Sequence, residues 1–174
     1  MNSIVILCGG DSSGKTATLK GFFGVNKRNR SPSSFIDRKL DGKRICAVSF
    51  DSPQEHEDFC KVNDVQKNIN GRIRECNEET KGDPYILIVP FTMSTSEADR
   101  KKLNKNCILK PIEELKKSFI VFVIYLKKKN AKLLAEKDAL MKGITSVVIE
   151  TTKDDYDKST ELEKYLKERV IKSM

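Results

Sequence analysis

Residues 4–16 read IVILCGGDSSGKT, an apolar run that leads into a glycine-rich turn. The apolar run predicts a short buried strand, and the turn has the spacing G-x-x-x-x-G-K-[ST], supplied by Gly9, Gly14, Lys15 and Thr16. Backbone N–H groups of such a turn can surround a phosphate, because glycine places no Cβ in the way. The helix expected from Lys15 onward points its partially positive N-terminus at the same anion. The segment therefore predicts a strand, a phosphate-binding loop and a helix.

Individual residues of this turn have distinct expected roles. The Lys15 ammonium group is expected on the β- and γ-phosphates of a nucleotide such as ATP, and the Thr16 hydroxyl is expected to be a ligand for Mg²⁺. Contacts with the nucleotide are expected from the whole turn and the first helical residues, which are Gly9, Gly10, Asp11, Ser12, Ser13, Gly14, Lys15, Thr16 and Ala17. The alternative interpretation is an ordinary Gly/Ser-rich connection between a strand and a helix.

Five apolar runs of strand length alternate with longer amphipathic segments, which is typical of a parallel sheet covered on both faces. We predict strands at Ser3–Leu7, Arg44–Phe50, Tyr85–Val89, Phe119–Leu126 and Thr145–Ile149, with helices between them and a last helix from about Ser159 to Ile171. Residues 25–43 lack this pattern and are expected to form a loop. The sequence thus predicts one α/β domain over residues 1–174, with three layers and a five-stranded parallel sheet.

Composition and charge limit the possible partners. The 174 residues are 33% charged and 38% hydrophobic, and the net charge of +8 suits phosphate-rich partners, including nucleic acid. The alternative is that the many lysines serve solubility alone. Neither composition nor charge specifies an oligomeric state.

The cysteines and apolar runs indicate a cytoplasmic protein without a membrane partner. Five scattered cysteines form no C-x-x-C pair, and with a single histidine, His56, they do not predict a zinc site. Reduced thiols in the cytoplasm are the plain interpretation. The first apolar run lacks the basic leader of a signal peptide. The longest later run, residues 119–126, is far shorter than the roughly 20 residues needed to cross a bilayer.

The helix after the second predicted strand has the clearest start signals. Ser52 is a natural N-cap, Pro53 suits the first helical position, and Glu55 would complete a capping box. A break near Asn70-Gly71 would divide this long segment into two helices.

Polar residues at the carboxyl ends of the strands are candidates for chemistry, because ligands of open α/β sheets bind there. Asp51 could hold a Mg²⁺-bound water or accept the proton of an attacking hydroxyl, or it could merely help cap the following helix. Pro90 stands where many P-loop proteins, which the turn at residues 9–16 resembles, carry an acid that orders Mg²⁺. Thr92 could contact substrate or cap the next segment. Thr152–Asp155 fits the loose guanine-recognition pattern [NT]-K-x-D, but no D-x-x-G motif accompanies it.

Several basic side chains could neutralise a transferring phosphoryl group. These side chains are Arg28, Arg30, Arg38, Arg72, Arg74 and Lys127 to Lys129. The alternative interpretation is that they are ordinary solvated charges.

The chain resembles the nucleoside-monophosphate-kinase-like branch of P-loop NTPases. Gly9–Thr16, with Asp11, is similar to the loop of small kinases such as thymidylate kinases. Phe122–Leu126 is similar to the strand that precedes the lid in these enzymes, and Val147–Thr152 is similar to their closing strand. The resemblance implies a P-loop fold with strand order 2-3-1-4-5 and ATP with Mg²⁺ on the loop. The chain departs from the family in lacking the acid of strand three, lid arginines and an Asp-Arg substrate signature. Residues Ile45–Asp51 also resemble a strand of small ATP-binding proteins of unknown function.

These features favour a small kinase-like phosphotransferase that moves the γ-phosphoryl group of ATP to a nucleotide-like or nucleic-acid-end acceptor. Lys15 and Asp51 are its candidate catalytic residues, and Thr16 and Asp51 its candidate metal ligands. One alternative is an ATP-binding regulatory or accessory module with little turnover. Another is a nucleic-acid-associated NTPase, favoured only by the basic charge.

Overall fold

The computed structural model describes residues 2–10, 13–26, 34–53, 62–93, 105–128, 143–151 and 157–174. Its strands are β1 (Ser3–Gly9), β2 (Ile36–Leu40), β3 (Lys43–Ala47), β4 (Tyr85–Thr92), β5 (Ile120–Lys128) and β6 (Thr145–Thr151). Its α-helices are α1 (Lys15–Phe23), α2 (Val62–Thr80), α3 (Lys110–Leu115) and α4 (Ser159–Tyr165). A wide π-type turn, Lys105–Leu109, precedes α3, and helical turns over Leu166–Val170 and Ile171–Ser173 extend α4.

The described strands form one six-stranded sheet in the order β2-β3-β4-β1-β5-β6. All neighbouring strands are parallel except β2 and β3, which are antiparallel. β1 lies between β4 and β5, with Ser3 in register with Ile86 on one side and Ile120 on the other. The α/β class is confirmed, whereas the expectation of five strands is wrong because β2 adds a sixth.

β2 lies within residues 25–43, where the sequence predicted a loop. It forms a hairpin with β3 through the two-residue turn Asp41-Gly42, whose φ angles are 47° and 76°. Positive φ at both positions characterises the type I′ turn, whose twist matches that of paired strands. Exposed polar residues, such as Lys39, alternate with the less exposed ones, so the segment carries no continuous apolar run.

Helices lie on both faces of the sheet, because two clusters of buried residues form from opposite sides of the same strands. In β1, Ile4 and Ile6 pack in the cluster that includes residues of α2 and α3, whereas Val5 and Leu7 pack in the cluster that includes residues of α1 and α4. All seven residues of β1 are buried. This explains why its sequence is uninterrupted by exposed polar residues.

α2 is one continuous helix of 19 residues through Asn70 and Gly71, so the predicted break there is wrong. Glycine costs about 1 kcal/mol relative to alanine inside a helix. The buried stripe of Val65, Ile69 and Cys76 offsets this cost by packing against the sheet. Glu55 of the predicted capping box lies outside the described residues.

Each of the five predicted strands ends two or three residues from its predicted bound, and two of these differences matter for the site. β3 ends at Ala47 rather than Phe50, and Ser49 Oγ then accepts the backbone N–H of Asp51 (3.1 Å), a local turn that competes with strand pairing. β4 continues beyond Val89 to Thr92, because β1 pairs with it as far as Gly9. In the described ranges, no helix is both long and apolar enough to span a bilayer.

Candidate functional site

The turn between β1 and α1 brings the predicted phosphate-binding residues together at the carboxyl edge of the sheet. β1 ends at Gly9 and α1 begins at Lys15, the bound predicted from the sequence. Gly14 caps the helix in a left-handed conformation (φ 89°, ψ 10°), which glycine adopts without a Cβ penalty. Two predicted members of the turn, Asp11 and Ser12, lie outside the described residues.

Lys15 is 8% exposed and reaches back across the turn. Its ammonium group donates hydrogen bonds to the carbonyl oxygens of Gly9 (3.1 Å) and Gly10 (3.0 Å) and to Ser13 Oγ (3.3 Å). All three acceptors are neutral groups of the turn.

Ser13 occupies the inside of the turn. It is buried, and its N–H donates to the Gly10 carbonyl (3.3 Å). The side chains of Ser13 and Lys15 therefore line part of the space in which the sequence predicts a phosphate. A ligand entering the turn has to compete with Ser13 and the two carbonyls for the Lys15 ammonium group.

The first turn of α1 presents backbone donors toward the same edge of the sheet. Gly14 supplies no side-chain cap. The N–H groups of Thr16 and Ala17 occupy the first positions of the helix, where a backbone donor has no partner within the helix itself. These donors and the positive end of the helix dipole favour an anion beside Lys15.

Thr92, at the end of β4, is the residue beside the start of the turn. It is in register with Gly9, and the next N–H along, that of Met93, donates to the Gly9 carbonyl (2.9 Å). Pro90 stands where an acid that orders Mg²⁺ was expected, but it lies two residues before Thr92, in register with Leu7. Neither Thr92 nor Pro90 is acidic, so β4 supplies a hydroxyl at the edge of the turn.

The Ser52 hydroxyl, which the sequence predicts to cap a helix, contacts the Thr92 hydroxyl. The two hydroxyl oxygens are 2.6 Å apart, and Ser52 is 1% exposed. This pair was not foreseen as a unit, because its members are 40 residues apart in the chain. The only sequence signal was that both residues follow predicted strands.

Asp51 precedes Ser52, so its backbone lies at the same edge of the sheet. The Arg72 guanidinium group donates to the Asp51 carbonyl (2.9 Å) and the Ser49 carbonyl (3.5 Å), and to Asn68 Oδ1 (2.8 Å). Arg72 is 4% exposed. It therefore fixes the backbone that carries Asp51, which is a different role from neutralising a phosphoryl group.

Other candidate cations are also engaged in the protein. Arg38 pairs with Glu163 (2.8 Å) and donates to the Phe22 carbonyl (2.7 Å), and Lys127 pairs with Glu150 (2.8 Å). Other predicted candidates have side chains outside the described part of the structure. They are Arg28, Arg30, Lys128, Lys129, His56 and Thr152–Asp155.

Cys8 lies directly below the turn and is fully buried. Burial raises the pKa of its thiol to about 12, although the positive charge of Lys15 acts in the opposite direction. Since the thiolate is the nucleophilic form, Cys8 is a packing residue here.

The oxygen atoms at this edge suit Mg²⁺ better than a soft metal. No three Cys, His, Asp or Glu side chains cluster to hold a metal within the ranges described. The candidate donors are the hydroxyls of Thr16, Thr92 and Ser52 and the carboxylate of Asp51. Mg²⁺ prefers oxygen ligands and keeps several of its waters, so a site with few protein ligands fits it when phosphate oxygens supply the rest.

No protein-family model matches the chain, and a comparison with curated proteins gives no significant match. Functional interpretation therefore rests on the geometry of the turn and its surrounding residues.

Proposed function

We propose that the chain is a P-loop protein that binds ATP with Mg²⁺ at the turn between β1 and α1 and transfers its γ-phosphoryl group to a nucleotide-like or nucleic-acid-end acceptor. The observation that carries the proposal is the Lys15 ammonium group, held at 3.0 and 3.1 Å from two carbonyls of the turn. Around it, the first N–H groups of α1 and the left-handed Gly14 form a site suited to an anion.

A phosphate is a better partner for Lys15 than the carbonyls are. The ammonium group is charged in both contacts, but a phosphate oxygen also carries negative charge that a carbonyl oxygen lacks, so an ion-pair attraction is added. The β- and γ-phosphate oxygens of ATP would therefore compete well for its three donors. Residues Gly9 to Ala17 would hold the phosphates, and the Thr16 hydroxyl would bind the metal.

Phosphoryl transfer requires mainly positioning and charge neutralisation, so a site of few residues can perform it. An acceptor hydroxyl attacks the γ-phosphorus, the bond from that phosphorus to the bridging β-γ oxygen breaks, and ADP leaves. Lys15 neutralises charge on the transferring group, and Asp51 accepts the hydroxyl proton. The backbone of Asp51 is held for this role by Arg72 (2.9 Å).

Calorimetric titration with ATP and Mg²⁺ tests the binding step, with Lys15→Ala as the informative variant. We expect binding by the wild type and a loss of affinity of at least tenfold in the variant, since a charge-assisted contact is removed. Lys20→Ala, on the same helix, is the matched control and should bind normally. Absence of ATP binding by the wild type would refute the proposal.

A panel of acceptors then tests the transfer step. ADP production should rise sharply with one acceptor and fall in Asp51→Asn, while ATP affinity is retained. ADP production that no acceptor raises would contradict the phosphotransferase and leave ATP binding as the function.

A regulatory or accessory module with little turnover is the second candidate. It is favoured by Thr92, a neutral residue, beside the turn where an acid would order the metal. Such a module would bind ATP with similar affinity in the wild type and in Asp51→Asn, with negligible ADP production in both. For either function we infer a cytoplasmic location, because scattered cysteines without a C-x-x-C pair are typical of reduced thiols.

A further inference from the structure

We propose that the outer edge of β6 and the groove between β6 and α4 form an interaction surface for a second copy of this chain. The two copies pair their β6 strands in antiparallel fashion and join their sheets into one. The inference goes beyond the proposed function and does not depend on nucleotide binding.

The first step is the composition of the two edges of the sheet. Among the described strands, β6 has β5 as its one neighbour, and β2 lies at the opposite edge. An edge strand exposes N–H and C=O groups that can pair with another strand, and charged side chains normally prevent this. β2, with the sequence IDRKL, carries three consecutive charged residues, whereas β6, with the sequence TSVVIET, carries a single one near its end. The sequence of β6 therefore lacks the protection that β2 has.

The second step is the exposure of apolar side chains along β6. Val148 is 36% exposed, and Val147 and Ile149 are only partly buried. All seven residues of β1, by contrast, are buried. Val147 and Ile149 lie on the face covered by α4, where they line a groove of about 630 Å³ together with Tyr165. A single copy thus leaves apolar surface of its edge strand partly accessible to a partner.

The third step is the register that two antiparallel β6 strands can adopt. A two-fold axis beside Val148 brings the two Val148 residues opposite each other, and it places Val147 of each copy opposite Ile149 of the other. Opposite side chains of antiparallel strands lie on the same face, with Cβ atoms about 4.5–5.5 Å apart. Val147 and Ile149 of both copies therefore form one apolar cluster on the side of the two α4 helices.

The fourth step is the charge pattern of α4 and its extension, which the same axis places antiparallel to their copies. Four exposed charged side chains line the groove, in the order Glu161, Lys164, Glu168 and Arg169. Because their signs alternate, each charge meets its opposite when a second segment runs the other way. Glu161 then faces Arg169 of the other copy, and Lys164 faces Glu168 of the other copy. The surface is therefore complementary to itself, as a two-fold interface requires.

Sedimentation equilibrium of the full chain without nucleotide tests the association. We expect the mass to approach twice the chain mass of 19.7 kDa, with a dissociation constant on the order of micromolar. Val148→Lys sets two ammonium groups opposite each other at the axis and should raise the dissociation constant about tenfold or more. Met174→Lys is the matched control, because Met174 is similarly exposed (38%) but lies outside β6 and α4. It should associate as the wild type does.

Two further variants test the charge pairs between copies. Glu161→Lys and Arg169→Glu each create like charges at both ends of the interface, so each protein alone should associate about fivefold more weakly than the wild type. An equimolar mixture of the two variants should regain the wild-type dissociation constant, because each copy then meets the opposite charge at both positions. A change confined to the fold of one chain cannot produce this recovery.

Thermal denaturation identifies any variant that is unfolded. If Val148→Lys is among them, the mixing experiment carries the test, since its substitutions lie at exposed positions. A wild type that remains monomeric at about 0.1 mM would overturn the proposal and would mean that the groove serves a different partner. A dimer that Val148→Lys weakens no more than Met174→Lys does, or a mixture that associates no better than its components, would also overturn it. All of these measurements are made without nucleotide, so none of their outcomes bears on the proposed function.

Discussion

A Cβ atom added at Gly9 would lie 2.5 Å from the backbone oxygen of Leu126, its neighbour in register on β5. It would also meet Ser13 Oγ, inside the turn. A backbone oxygen cannot turn aside as a flexible side chain can. The close approach of β5 thus requires glycine at the first position of the turn, for a reason independent of any ligand.

We expect Gly9→Ala to destabilise the protein by about 1–3 kcal/mol, the usual cost of overpacking a tight site. Urea denaturation measures this change. Gly71→Ala is the control, since no atom lies within 4 Å of the added Cβ in the middle of α2. It should stabilise the protein by about 0.5–1 kcal/mol. Equal stability of the two variants would contradict the close approach of β5.

Arg72 offers a test of how the strand end that carries Asp51 is fixed. Arg72→Lys cannot reproduce the bonds of a planar guanidinium group to two carbonyls and Asn68, so we expect a loss of about 2 kcal/mol in the free energy of unfolding. Arg74→Lys is the control on the same helix. Arg74 is 79% exposed in its side chain and pairs with Glu78 at 4.0 Å, so the change should be about 0.5 kcal/mol or less. A loss in Arg72→Lys no larger than in the control would show that the buried bonds contribute nothing.

The central part of the fold was predictable from local sequence. β1 could be predicted because a strand covered on both faces is apolar throughout, and α1 because Gly14 ends the turn immediately before it. β2 was missed because it lies at the edge of the sheet, where exposed polar residues such as Lys39 interrupt the apolar pattern. The available signal was the dipeptide Asp41-Gly42, which favours a two-residue hairpin.

The candidate site was predictable in its turn but not in its surroundings. Gly14 and Lys15 could be identified because the motif G-x-x-x-x-G-K-[ST] spans only a few consecutive residues. The Ser52–Thr92 hydroxyl pair and the contact of Arg72 with Asp51 join residues 40 and 21 positions apart. Such contacts depend on the register of strands and on helix packing, which local patterns do not specify.

The hairpin turn gives a third prediction. Gly42 has φ 76°, so Gly42→Ala places a Cβ in the left-handed region and should cost about 1–2 kcal/mol. Asp41→Asn is the control, because asparagine also suits the first position of this turn. Thermal and urea denaturation should separate the two variants. A Gly42→Ala protein as stable as the wild type would mean that the turn is not type I′.

Glu163 provides the pH-dependent prediction. Its carboxylate lies 2.9 Å from Lys167 Nζ and 2.8 Å from the Arg38 guanidinium group. The bond from Lys167, aided by the charge of Arg38, lowers the pKa of Glu163 from its ordinary value of 4.5. A carboxyl whose pKa is lower in the folded state stabilises the fold above its ordinary pKa, and this contribution disappears as pH falls through the folded pKa.

We therefore expect Glu163→Gln to be less stable than the wild type at pH 7, with a difference that shrinks below pH 4.5. Urea denaturation from pH 7 to pH 3 measures it, and Glu79→Gln, at an exposed position of α2, is the control that should show a smaller dependence. A difference between wild type and Glu163→Gln that stays constant over this range, or grows on acidification, would be incompatible with the lowered pKa.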